Sequence, residues 1–139
     1  MRYWLFKSEP SVFSWSDLVA RGPAGEPWDG VRNYLARNTM RAMAVGDRGL
    51  FYHSQTERAC VGLVEVAADA HPDPTDDTGT WDCVDLRALA PLPRPVTLAA
   101  IRARPDLAGM ALLRQSRLSV QPVEEAAWRA ICAMGGTEG

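Results

Sequence analysis

Three kinds of side chain that could recognise a planar polar ring fall at or near turns of this 139-residue chain. Trp28, Tyr34 and Tyr52 offer aromatic faces, and Lys7, Arg32, Arg37 and Arg117 offer fixed positive charge. Ser8, Asn33, Ser54 and Ser119 offer neutral donors and acceptors. The mixture suits a nucleic-acid base taken out of its stack. An aromatic covers the π-face, Asn and Ser read the Watson–Crick edge, and Arg or Lys hold flanking phosphates. Stacking on an aromatic is worth on the order of 1–3 kcal/mol per base, enough to offset much of the unstacking cost.

Covalent chemistry finds less support. A GxSxG elbow, a Walker loop, a GxGxxG turn and an HExxH helix are all missing from the sequence. Lys7 and Ser8 are neighbours on an extended run, so they point to opposite faces and cannot act as a catalytic dyad. His53 alternates with Tyr52 and Ser54 and reads as a structural histidine or, less readily, a catalyst. Cys60, Cys83 and Cys132 are odd in number and widely spaced. They form no CxxC and find no histidines at zinc spacing, so buried thiols in a reducing compartment are expected. The acidic run from Asp69 to Asp77 holds two prolines and no glycine at the EF-hand offset, which predicts a solvated loop. No enzyme activity, cofactor or metal is expected.

The net charge of −2 argues against a generic polyanion binder. Residues 1–64 carry eight Lys/Arg against six Asp/Glu, whereas residues 65–139 carry seven against eleven. Any phosphate footprint is therefore expected in the first half, where Arg37 and Arg41 share one helix face. No run approaches the ~20 apolar residues of a membrane span. The N-terminus lacks a cleavage signal and reads as a first strand, so a cytoplasmic monomer is expected.

These residues need elements to position them. Tyr3 to Phe6 is β-prone and Pro10 closes it, leaving Lys7 and Ser8 at a strand end. Ser14 and Asp17 have capping-box spacing for a short helix ending before Gly22. An Asp29-Gly30 turn leads to a helix from Tyr34 to Met43, with Leu35, Ala36, Met40 and Met43 expected inward. Arg32 and Asn33 either cap this helix or belong to a site, and Trp28 is either core or pocket wall. Leu50 to His53 and Ala59 to Ala68 read as paired strands, and Trp81 to Leu89 as another, continued by an extended edge through Pro91, Pro93 and Pro95. Thr97 caps a helix through Ala103; Arg117 to Val120 reads as a half-buried strand, and Pro122 opens a C-terminal helix ending at Gly135. Strands and short helices alternate irregularly, which favours a small, partly closed barrel with helices across its openings.

WLFKSEP, WDGVRNYLARNTMRAM with Gly46-Asp47, FYHS, and RLSVQPV followed by a tryptophan together resemble the EVE domain. This family belongs to the PUA-like superfamily and is related to the YTH readers of methylated adenine. The resemblance runs from about Arg2 to Ile131. It implies an α+β fold, a PUA-like mixed β-barrel with short helices packed across its openings, as one domain over residues 1–135 with a disordered tail at 136–139. It also implies a pocket for a modified base, a modified cytosine in DNA or a base in RNA. By matching motif, Lys7 and Ser8 would lie at the mouth and Trp28 at an aromatic wall. Arg32 and Asn33, with Tyr34 beside them, would touch base or phosphate; Tyr52, His53 and Ser54 would form the floor, with Arg117 and Ser119 alongside. Leu35 departs from the family's polar residue there. A domain that binds a free nucleoside or nucleotide in the same pocket is the alternative.

Overall fold

Apolar residues run without alternation through Trp4-Leu5-Phe6 because the strand they form is covered on both faces. The computed structural model describes residues 1–139, and β1 spans Tyr3–Ser8. Leu5 packs into one core with Leu50, Leu63, Ile101, Trp128 and Ile131. Trp4 and Phe6 pack into a second core with Trp28, Met40, Phe51 and Val84. The sheet separates the two.

Six strands make that sheet. They are β1, β2 (Glu26–Pro27), β3 (Arg48–His53), β4 (Ala59–Pro72), β5 (Asp82–Thr97) and β6 (Val120–Val123). Their order is β2-β5-β4-β3-β1-β6. β1 pairs with β3 in parallel, placing Lys7 opposite Tyr52, and with β6 antiparallel, placing Leu5 opposite Gln121. Helices α1 (Trp15–Ala20) and α2 (Tyr34–Arg41) cover one face. Helices α3 (Leu98–Arg102), α4 (Ala111–Arg114) and α5 (Glu125–Met134) cover the other.

The α+β, PUA-like architecture is present, but the barrel is open: no ladder joins β2 to β6. Helix α2 touches both β5 and β6 and bridges that gap. Repeated register shifts along the β4–β5 hairpin bend it around the second core. Gly62 sits where the Trp15 ring lies against β4, and any side chain there would collide with the indole.

Local signals mostly hold. Ser14 and Asp17 form a reciprocal capping box, and Thr97 accepts from the Ala100 amide. Four expectations need correction. Leu35 is 52% exposed, because the stripe facing the core is Ala36, Met40 and Met43, and Leu35 lies one position off it. The last strand is Val120–Val123, not Arg117–Val120. Pro122 therefore pairs with Trp4 in an edge strand, where its missing N–H breaks no ladder bond, and α5 begins at Glu125. The 69–77 run is no solvated loop throughout: β4 extends to Pro72, and Asp73 is 1% exposed. Beyond Gly135, Thr137 donates its amide to the Cys132 carbonyl and the Arg48 guanidinium donates to the Gly139 carbonyl oxygen at 2.7 Å. All three cysteines are free and buried.

Candidate functional site

The end of β1, the segment from Glu26 to Asn33, and the turn before β6 enclose a cavity of about 640 Å³. Seven of the residues expected at a site line it: Lys7, Ser8, Trp28, Arg32, Asn33, Arg117 and Ser119. Backbone pairing sets the first wall, since the Lys7 amide donates to the Ser119 carbonyl at 2.9 Å. The Lys7 ammonium reaches the Ser116 carbonyl oxygen at 2.6 Å, and the Ser8 hydroxyl donates to the Phe13 carbonyl at 2.5 Å.

Trp28 fulfils both readings. It is 8% exposed and packs edge-on against Phe6, Phe13 and Phe51, with ring centroids 5.7, 6.1 and 5.7 Å away. Its amide donates to the Val84 carbonyl at 2.8 Å. The indole is thus a core residue whose remaining surface lines the cavity, and it cannot swing away.

The Gly30 turn, with φ of +76°, brings the chain back toward α2. Asp73 anchors this turn from 43 residues downstream of Gly30. Its carboxylate accepts from the Gly30 amide (2.9 Å), Arg32 Nη1 (3.0 Å), the Thr75 amide (2.7 Å) and the Thr75 hydroxyl (2.6 Å). Burial alone would raise the Asp73 pKa, but these donors outweigh it and hold the carboxyl below its ordinary value. Arg32 also gives Nη2 to the Thr75 hydroxyl at 3.1 Å, so it rims the cavity as a paired cation. Asn33 caps α2 by accepting from the Ala36 amide at 2.9 Å. Capping uses only its carbonyl oxygen; Asn33 lines the cavity, and its amide NH₂ has no protein acceptor.

Tyr34, Tyr52, His53 and Ser54 do not line this cavity. Tyr52 points into the core on the other face of the sheet, and burial pushes its phenol up. His53 Nε2 accepts from the Trp15 amide at 3.0 Å, which leaves the proton on Nδ1 to donate to Glu57 at 2.6 Å. It ties α1 to the sheet. Ser54 closes the β1–β3 pairing, its amide donating to the Ser8 carbonyl at 2.9 Å. Tyr34 lies against Trp81 with its ring tilted by 30° and the centroids 4.8 Å apart, outside the cavity, and the Arg37 guanidinium lies over Tyr34 at 4.8 Å. The phosphate roles expected of Arg37 and Arg41 meet a physical obstacle. Arg37 donates to the Thr80 carbonyl at 3.0 Å, and Arg41 pairs with Asp82 at 2.7 Å.

Sequence reasoning missed the acidic half of the cavity. Glu9, Glu26 and Asp29 also line it, opposing the charges of Lys7, Arg32 and Arg117. Burial raises the Asp29 pKa, and the neighbouring charges of Asp73 and Glu26 add to this against Arg32. Burial likewise lowers the Lys7 pKa. Asp73 had a readable signal in Asp-Pro-Thr, an Asx-turn sequence, and Asp29 was legible as part of an Asp-Gly turn but not as a cavity acid.

An open six-stranded sheet with this cavity at the end of its parallel pair defines a PUA-like domain. The family model for the EVE domain matches residues 2–134, and the chain belongs to that family. It is 33% identical to human thymocyte nuclear protein 1 over 155 residues, 88% of this chain and 69% of that protein. A crystal structure of an Agrobacterium tumefaciens protein is 51% identical, with a TM-score of 0.96 over 100% of this chain and 96% of that one. The crystal structure of the human protein in complex with 5-methylcytosine-containing DNA is 30% identical, with a TM-score of 0.89 over 100% of both chains.

Proposed function

We propose that this chain is a non-enzymatic nucleic-acid-binding domain that reads a modified cytosine in DNA, flipped into the Trp28 cavity. The human relative's complex with 5-methylcytosine-containing DNA supports the ligand class. The observation that carries the reading is the composition of the cavity wall. A tightly packed indole lines it together with Asn33, whose side-chain NH₂ has no protein acceptor, and Asp29. Cytosine presents a ring acceptor and an exocyclic amino donor, which an amide NH₂ and a carboxylate complement. At about 640 Å³ the cavity is of ligand-pocket size, and a base in a strand would reach it by leaving its stack. A binder without catalysis agrees with the surrounding chemistry. Both His53 nitrogens are committed, and burial pushes the Cys60 and Cys83 thiols up to about 12 and Cys132 to about 11.

The test is a titration with short oligonucleotides carrying cytosine, 5-methylcytosine, 5-hydroxymethylcytosine or methyladenine, each as DNA and as RNA. Preference for a modified cytosine in DNA is expected; equal affinity for all of them would sink the reading. The balance of three cations and three acids in the cavity favours one rival, a site for a free nucleoside. That rival predicts binding with almost no salt dependence, whereas a strand binder weakens steeply as salt rises.

A further inference from the structure

We infer that the strand carrying the bound base leaves the cavity over the turn at residues 114–118, with Arg114 and Arg117 as its phosphate contacts; this rests on the proposed reading of the Trp28 cavity as a base site. A second cavity of about 320 Å³ adjoins the first. The two share Asn33 and Arg117 as a common wall. The smaller one is lined further by Leu35, Arg114 and Ser116, and no carboxylate borders it. That contrast decides the path. A phosphodiester meets three acids around the base cavity and none in the neighbouring groove, in a chain whose net charge is −2.

The arginines there are available. Arg117 makes no hydrogen bond or ion pair within the protein, and Arg114 gives only Nε, to the Ala108 carbonyl at 3.2 Å. Lys7 adds a third positive charge beneath the turn through its bond to the Ser116 carbonyl. The other cations near the cavity are engaged: Arg32 with Asp73, Arg37 with Thr80 and Arg41 with Asp82. Leu35, half exposed, gives the groove an apolar side against which a deoxyribose can lie. The guanidinium fork suits a phosphate, so the groove supplies what the mixed-charge cavity lacks.

Arg114 borders the groove but not the base cavity, so Arg114→Gln separates the two. Binding of a 5-methylcytosine oligonucleotide and of free 5-methyldeoxycytidine would be measured for wild type, Arg114→Gln and Arg114→Lys at several salt concentrations. Arg114→Gln is expected to weaken the oligonucleotide roughly 3- to 10-fold and to reduce the salt slope by about one. Nucleoside affinity should stay constant, and Arg114→Lys should restore most of the slope. An unchanged slope, or equal weakening of nucleoside and oligonucleotide, overturns the inference. If wild type bound modified and unmodified strands alike, the base reading would fail by itself. The Arg114 slope would still decide the phosphate path.

Discussion

Arg32 and Asp73, 41 positions apart, meet at 3.0 Å, and the same carboxylate oxygen accepts the Gly30 amide. One buried acid thus fixes the backbone turn and the cation that together form one rim of the cavity. Asp73→Ala removes the acceptor for four donors and leaves Arg32 without its partner. A loss of about 2–4 kcal/mol is expected in urea unfolding, with faster hydrogen exchange at the Gly30 amide than at the α5 amides. Unchanged exchange at Gly30 would show that the turn holds itself.

Trp28 cannot be tested by truncation to alanine. Its indole fills space between three phenylalanines, so Trp28→Ala should cost about 3–5 kcal/mol, and lost binding would then report a damaged core. Trp28→Phe keeps an aromatic in place. It is expected to preserve cooperative thermal unfolding while weakening the modified oligonucleotide about 10-fold, through the smaller stacking face. Full affinity in a folded Trp28→Phe protein would remove the indole from the site.

Asp29 supplies the acceptor for the exocyclic amino group in the proposed reading. Asp29→Asn exchanges part of that acceptor for a donor and should reduce modified-cytosine affinity by about 10-fold. Its pKa is raised by burial and by the charges of Asp73 and Glu26, so the wild-type advantage fades as acid protonates the carboxyl. Titrations between pH 4 and pH 7 on both proteins check this. The two curves should converge at the acid end.

His71 makes stability depend on pH. Its Nε2 lies 2.7 Å from Asp85 and its Nδ1 3.1 Å from the Pro72 carbonyl oxygen, so the doubly protonated ring satisfies both acceptors. The Asp85 hydrogen bond raises the pKa above the ordinary 6.5, against a smaller opposing effect of burial. A raised pKa means the contribution is fully present below pH 6.5 and is lost as pH rises through the folded-state value. His71→Gln should flatten the melting temperature in that window and leave the profile below pH 6 parallel to wild type.

How far the sequence could be read follows from the range of each interaction. The capping box at Ser14, the Thr97 cap and the β1 run are decided by neighbours in the chain, and all three are present. Barrel closure is decided by whether β2 and β6 can meet, which depends on α2 standing between them; no local pattern encodes that. Leu35 and Pro122 misled for a related reason, since an apolar type or a proline fits several positions until the packing stripe and the edge of the sheet are known. For the cavity, FKS, WDGVRN and RLS were legible as motifs. Their acidic complement, Glu9, Glu26 and Asp29, was not, because which carboxylates share a cavity with Lys7 and Arg117 is set by how distant segments pack. Tyr52 and His53 show the converse. One strand carries successive side chains to opposite sides, so a motif can be read correctly while half of it faces the wrong core.

Pairing β1 with β6 sets residues far apart in the sequence side by side, so Lys7 and Ser8 share one wall of the cavity with Arg117 and Ser119. A nascent polypeptide therefore has no complete ligand site until the segment near Ser119 has left the ribosome and docked. Contacts of such long sequence separation form late and slowly. Any fragment that stops before that segment keeps Trp28 and its turn but lacks the part of the wall that pairs with Lys7. Binding is acquired in one step, when the segment near Ser119 docks.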